Sequence, residues 1–503
     1  MNCYLLLAIF SAALGIFQRG YNFRTINVPH QNIKKFLNET FKERYDMDLT
    51  PHSISTYYSI AMSIFPIGIM VGSLFGRRMA EQFGRKKGQL YPQILSLLGA
   101  ILMGFCSFAS SYEMLVMGRL FSGISSGILM IVGTLYLVEI APITIRGKIA
   151  AVGQLAMTSG FLISNILGLE NILGGENTWP ILLGLAAVPS LLQCMIIPFM
   201  PETPRYLILT KGKIEEAENA LRKLRNKDDV KSEVFKIQNE EQHNDNNQSY
   251  SIWKLIVSSE LRLSLLVCIC LILSQQLSGI GAVLSYTTAF FESAGIDAKH
   301  SQYATVSLSA VFVAMTLVIM PLMDRLGRRT LYLCGMSGLI ICSTMITVAL
   351  NYHDNVYVSF FLIGATFLFV ISFSLGPATV PRLATAELFT QGPRSAALSI
   401  GSFIEMLANF VVSIVFPQLQ NYLQQYSFLP FLIISTVFLV ILFFYFPETK
   451  KKTSNELSLL FQAPNAWKTA TGLKKTNRDT EQMQNCNNVE NAKLMSDGEE
   501  IKV

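Results

Sequence analysis

Residues 139–147 read Glu-Ile-Ala-Pro-Ile-Thr-Ile-Arg-Gly and residues 387–394 read Glu-Leu-Phe-Thr-Gln-Gly-Pro-Arg, so in both places an arginine follows an acid seven positions later. Two further motif pairs stand at nearly the same separation. Gly84-Arg85-Lys86 returns as Gly327-Arg328-Arg329, and Pro201-Glu202-Thr203 returns as Pro447-Glu448-Thr449. Three motifs repeated in one order, about 245 residues apart, mark an internal duplication of the chain.

What lies between the motifs is apolar. Of 503 residues 51% are hydrophobic and only 15% charged, a composition that excludes an ordinary soluble domain of this size. A bilayer core of about 30 Å needs roughly 20 apolar residues per helix, because lipid offers no partner to an unpaired backbone group. Twelve runs qualify: residues 3–23, 55–76, 88–109, 114–138, 147–169 and 178–200 in the first half, then 259–292, 302–323, 331–351, 356–384, 395–416 and 427–446 in the second. The expected fold class is an all-α membrane protein of twelve transmembrane helices in two six-helix bundles. Residues 1–202 form the first bundle, 203–252 a linker, 253–447 the second bundle and 448–503 a polar tail expected to be disordered. In the linker Ile214, Ala217, Leu221 and Leu224 recur at helical spacing, which predicts amphipathic helices.

The net charge of +6 is spread over short clusters between spans, which argues against a nucleic-acid partner. Eight scattered cysteines show no metal spacing or disulfide framework, so no metal or cofactor is expected. No nucleophile-plus-base cluster or phosphate loop points to an enzyme. Gly123, Gly127 and Gly133 lie in an apolar span, where small residues let helices approach. The opening run lacks a basic leader, so it reads as a span rather than a signal peptide.

Arg77, Arg78, Arg85, Lys86 and Lys87 follow the second span, and Arg325, Arg328 and Arg329 follow the eighth. The loops after spans three, five, nine and eleven carry no Lys or Arg, so the positive-inside rule places both termini in the cytoplasm. The first loop is basic too, yet it holds the glycosylation acceptor Asn38-Glu39-Thr40, which fits an outer position on the plasma membrane. A second acceptor pattern, Asn247-Gln248-Ser249, falls on the cytoplasmic side and is expected to stay unmodified.

The repeated motifs all lie at cytoplasmic span ends. There the acids Glu139, Glu202, Glu387 and Glu448 and the arginines Arg85, Arg146, Arg328, Arg329 and Arg394 of both halves can pair when the inner faces meet. Plain positive-inside anchoring explains the bases but not the matched acids. Together with Gly20-Tyr21-Asn22, Gly118-Arg119, Trp179-Pro180, Pro201 to Arg205, Gln275-Gln276-Leu277-Ser278-Gly279, Asp324 to Arg329 and Ala386 to Arg394, these motifs identify the chain by resemblance. Over residues 10–450 it resembles the sugar porter family of the major facilitator superfamily, and more closely the animal facilitative glucose and hexose transporters. The resemblance implies the major facilitator fold, alternating access between two bundles around a central site, and a small sugar as the transported partner. Two motif positions depart from the family pattern, with Gln82 for an arginine and Thr134 for a proline.

A sugar site wants amides and an aromatic platform, because each hydroxyl both donates and accepts. Gln154, Gln275, Gln276 and Asn409 fall inside apolar spans, and with Tyr286 they coincide with substrate-binding positions of the resembled family. Other cavity positions have changed. Gly281 and Phe312 stand for asparagines, Ser374 for an acid, and Arg382 and Met406 for tryptophans, while Arg19, Arg24 and Glu405 bring new charges. An intramembrane charge normally faces a partner or a wet cavity. Either Arg382 and Glu405 pair with each other, or the spare arginines Arg19, Arg24 and Arg382 make an electropositive vestibule that favours an anion. Uniport of a hexose such as glucose or fructose is the leading expectation, and Asn22 supports it, since related proton symporters carry an aspartate there. An organic-anion (urate-like) transporter of the same fold and a non-transporting nutrient sensor are the alternatives.

Overall fold

The structure, a computed structural model, describes residues 3–46, 48–142, 146–227, 229–235, 237, 252–259, 261–293, 295–352, 356–389 and 391–450. The polar tail beyond Lys450 and the Asn247 acceptor lie outside the described residues. Among the described residues, nine helices are long and apolar enough to cross a membrane. One of them, Pro51–Phe105, runs 55 residues and is two crossings joined at Gly84, whose backbone turns through φ 83° and ψ −179°. With the shorter apolar helices Val152–Leu167 and Leu429–Tyr445, the described residues supply twelve crossings.

The duplication is visible in the backbone. Gly327, at φ 90° and ψ 162°, joins Ala298–Leu326 to Arg328–Asn351 just as Gly84 joins its two arms. Among the described residues, three crossings are interrupted. Trp179–Gly184 and Ala187–Ile196 make the sixth, Arg262–Leu277 and Ile280–Ser293 flank Gly279 in the seventh, and Val356–Leu375 and Val380–Leu388 flank Gly376-Pro377 in the tenth. Proline lacks the N–H that a continuous helix needs and disfavours helix before it, which accounts for the last break.

The two halves meet along two seams, Pro51–Phe105 against Gln391–Leu423 and Arg146–Leu167 against Ala298–Leu326. Within the first half, a Cβ on Gly123 would stand 2.5 Å from the Phe65 carbonyl and one on Gly127 2.3 Å from that of Ile69, so these glycines do set the close approach read from sequence. Gly133 is different, because its nearest neighbour is the Ala12 carbonyl at 3.8 Å. Exposed Leu74, Ile94, Ile101, Ile341, Phe360 and Val440 face away from the interior, as lipid-facing residues must.

Two elements lie outside the bundles. The first loop folds into a helix, His30–Tyr45, that the sequence reading treated as a charged loop; it buries Ile33, Phe36, Leu37 and Thr40 and sets Phe36 against Trp179 at 5.2 Å between ring centres. The linker helix Ile214–Arg225 buries Ala217, Leu221 and Leu224 as the periodicity predicts, and leaves Ile214 exposed. Leu224 joins Leu5, Leu137 and Ile140, while Arg225 donates to the Ile140 carbonyl at 2.8 Å and pairs with Glu233, so the linker is tied beneath the first half.

Candidate functional site

A cavity lies between the two halves. The first crossing brings Arg19, Phe23 and Arg24 to it, and the fifth brings Gln154, Met157 and Phe161. From the second half come Gln275, Gln276, Gly281 and Leu284 on the broken seventh, Phe312 on the eighth, Phe373, Ala378 and Arg382 on the broken tenth, and Glu405, Met406 and Asn409 on the eleventh. Four of the five residues expected to hold substrate therefore converge. Of the six altered positions, Gly281, Phe312, Arg382, Glu405 and Met406 line the cavity; Ser374 does not, being buried with its hydroxyl bonded to the Val370 carbonyl at 2.8 Å.

The helix breaks position the amides. Where the tenth crossing is interrupted, the Ala378 carbonyl has no helical partner, and Gln275 Nε2 donates to it at 3.2 Å. Asn409 Nδ2 donates to Gln276 Oε1 at 3.2 Å. The buried carbonyl oxygens Gln275 Oε1 and Asn409 Oδ1 are left without a partner. Such atoms are costly in a sealed core but serve as acceptors in a site that hydroxyls enter. Rings of Phe23, Phe161, Phe312 and Phe373 supply the apolar wall, with Phe161 stacked on Phe312 at 6.0 Å across the two halves.

Arg382 and Glu405 do pair. The guanidinium donates through Nη2 to Oε1 at 2.6 Å and through Nε to Oε2 at 3.2 Å, a two-pronged contact between the tenth and eleventh crossings. Glu405 is buried, whereas 43% of the Arg382 side chain is accessible and lines the cavity.

Tyr286 sits elsewhere. Its hydroxyl donates to the Ser413 carbonyl at 2.7 Å, and its ring packs against Tyr58 and Phe416 in a plug above the cavity. That plug belongs to a seal joining the two halves on the side of the His30–Tyr45 helix. Glu292 accepts from Gln31 at 2.8 Å and meets His30 Nε2 at 2.9 Å, Asn165 donates to Ser309 at 2.7 Å, and the Glu170 amide donates to Gln302 at 3.2 Å. On the other side the cavity continues past Gly15, Ile16, Thr134, Leu137 and Gly153 toward the face with the basic loops. Among the described residues the site is thus closed at one face and leads toward the other. Glu292→Ala should loosen the seal; a cysteine placed at Ser285 should then react roughly three to ten times faster with a membrane-impermeant maleimide, the effect of about 0.5–1.5 kcal/mol for a lost hydrogen bond. Unchanged reactivity would mean the packing alone holds that face shut.

At the basic face the charge pairs described lie within single halves, whereas the cross-half pairing read from sequence belongs to the state in which the inner faces meet. Arg85 binds Glu139 at 2.7 Å and Arg328 binds Glu387 at 3.2 Å, each pair inside one half. Glu202 takes the backbone amides of Arg85 at 2.9 Å and Lys86 at 3.1 Å, and Glu448 takes those of Arg328 at 2.9 Å and Arg329 at 3.2 Å. These acids cap helix starts, where orphan N–H groups and the helix dipole favour a carboxylate. Burial nevertheless pushes the Glu202 carboxyl up, against the pull of its backbone donors. Arg329 donates to the Phe443 carbonyl at 2.8 Å and Arg394 to that of Phe389 at 3.2 Å, while the Arg146 side chain lies outside the described residues.

The sequence model of the family described as "Sugar (and other) transporter" matches residues 8–461. The facilitated glucose transporter member 1 of solute carrier family 2 from Gallus gallus is 37% identical over 92% of this chain and 94% of its own length. Member 3 from Homo sapiens is 36% identical over 91% and 92%. Among solved structures, a partially occluded inward open conformation of the xylose transporter XylE from E. coli superposes with a TM-score of 0.75 at 22% identity, covering 90% of this chain and all of that one.

Proposed function

The chain belongs to the sugar transporter family, and from that membership we propose that it carries a hexose such as glucose or fructose across a membrane by facilitated, alternating-access uniport. The observation that carries the reading is the cavity itself. It lies between two duplicated halves, holds convergent amides with unused acceptors against aromatic rings, and among the described residues is shut at the face of the His30–Tyr45 helix. Rocking the halves would break the seal at Glu292 and bring the paired charges of the basic face together, exposing the same site to the other side.

Uniport is the mode that the side chains of the spans support. Glu405 is engaged by Arg382, and position 22 is Asn22. Neither offers a proton carrier facing the two sides in turn. Purified protein in liposomes should take up D-glucose or D-fructose saturably, prefer the D to the L enantiomer, and equilibrate without accumulation at any imposed potential. Absence of saturable flux for every hexose tried would overturn the reading.

We further place the basic face in the cytoplasm, with both termini there, and the protein in the plasma membrane. Asn38 supports this, since it lies on the helix at the sealed face. In glycosylating animal cells a peptide N-glycosidase should lower the apparent mass, Asn38→Gln should abolish that change, and Asn247→Gln should leave it intact. The reverse pattern would invert the orientation.

A further inference from the structure

Three arginines and one glutamate face the central cavity, and the glutamate is already taken by Arg382. Arg19 and Arg24 remain, each only 3% exposed and without an ion-pair partner among the described residues. Arg24 gives Nη1 to the Ser285 hydroxyl at 3.1 Å and lays its guanidinium against the rings of Phe161 at 4.8 Å and Phe23 at 5.0 Å, while its Nε finds no acceptor. Arg19 makes no hydrogen bond among the described residues, and its buried Nε is likewise unpartnered.

A buried cation is expensive unless an anion or strong acceptors meet it. Stacking holds the Arg24 plane, but π-faces do not use its remaining N–H groups. The fork of a guanidinium matches a carboxylate in geometry and charge. The same cavity offers the free acceptors Gln275 Oε1 and Asn409 Oδ1, which call for hydroxyl donors. A neutral hexose would satisfy the acceptors and bring no anion to the arginines, since Glu405 is bound to Arg382 and meets Arg19 only through space. A simple carboxylate would do the converse.

We propose that Arg19 and Arg24 form an anion subsite that takes the carboxylate of a sugar acid, so that a hexuronate is a substrate beside neutral hexoses. The inference rests on the hexose reading and adds a charged end to the same site. A transported uronate carries one negative charge across, so its flux responds to potential where glucose flux does not. At about 60 mV, inside positive, uronate should accumulate roughly tenfold.

The test uses full-length protein in liposomes with radiolabelled D-glucuronate and D-glucose, at two potentials, with chloride present or replaced by methanesulfonate. Saturable, potential-driven glucuronate uptake that competes with glucose is the expected result. Arg19→Gln and Arg24→Gln should lower the ratio of glucuronate to glucose flux at least tenfold, and Arg19→Lys, which keeps the charge but loses the fork, should lower it less. If the glutamine variants do not fold, competition and potential dependence in the unmodified protein decide. Glucose flux with neither transport of nor inhibition by glucuronate overturns the subsite and leaves the hexose reading standing. Glucose flux that requires chloride assigns the arginines to an inorganic anion and overturns the sugar-acid assignment. Silence for both sugars takes the hexose reading down with it.

Discussion

Gly84→Ala should cost about 3–5 kcal/mol and leave little folded protein. The expectation has two parts. At φ 83° and ψ −179° the backbone lies in a region essentially reserved for glycine, and a residue with a Cβ pays roughly 1–3 kcal/mol to stay there. The new Cβ would also stand 2.3 Å from Glu202 Oε2. The carboxylate must then leave the amides of Arg85 and Lys86, losing charged hydrogen bonds of about 1.5–3 kcal/mol. Gly327→Ala repeats the case, with φ 90° and Glu448 Oε2 at 2.6 Å. Gly212→Ala is the control, because its φ of 65° is also left-handed but nothing lies within 4 Å, so only about 1–2 kcal/mol of strain should appear. Thermal unfolding followed by size-exclusion in detergent would rank the three. Gly84→Ala behaving no worse than Gly212→Ala would show that Glu202 does not depend on the missing side chain.

The same positions show where sequence reading stops. The motifs around Gly84 and Gly327 announce the duplication because repetition is a one-dimensional signal, and span lengths follow from the bilayer, so architecture was legible. The partner of Glu202 was not. An acid in a neighbourhood of arginines reads as half of an ion pair, whereas its bonds run to backbone amides 117 residues earlier in the chain. Backbone donors are the same at every residue and leave no mark in composition. The His30–Tyr45 helix was missed for the opposite reason. Its apolar residues at 33, 36 and 37 carry a helical spacing, but Lys34, Lys35, Lys42 and Arg44 made the segment look like a loop.

For the site, the four amides were found because a polar side chain in an apolar run needs a reason to be there. Tyr286 reads as one of them, yet its hydroxyl meets the Ser413 carbonyl and its ring packs on Tyr58 and Phe416, since a lone aromatic fits packing and ligand contact equally well from sequence. Arg24 shows the limit most clearly. Its charge was evident, but the Phe23 and Phe161 faces and the Ser285 hydroxyl that hold it come from three crossings and appear only on folding.

Glu405→Gln should be more damaging than Arg382→Gln, and exchanging the two residues should be milder than either. Removing one member of a buried pair costs about 3–5 kcal/mol when the other is left uncompensated. Here the accessible side of Arg382 lowers this toward roughly 1–3 kcal/mol, because water in the cavity screens the remaining charge. The two single changes are not equivalent. Glu405→Gln leaves Arg19, Arg24 and Arg382 facing one cavity with no acid, and like charges there repel. Arg382→Gln leaves Glu405 free to turn to Arg19, which already lies within electrostatic range of it. Arg382→Glu combined with Glu405→Arg restores one acid and one base across the same two crossings. Folded yield and hexose uptake should therefore rank unmodified protein, exchange, Arg382→Gln, then Glu405→Gln. If Arg382→Gln proved the worst of the three while its folded yield stayed normal, Arg382 would be touching the substrate, and its bond to Glu405 would serve to aim it.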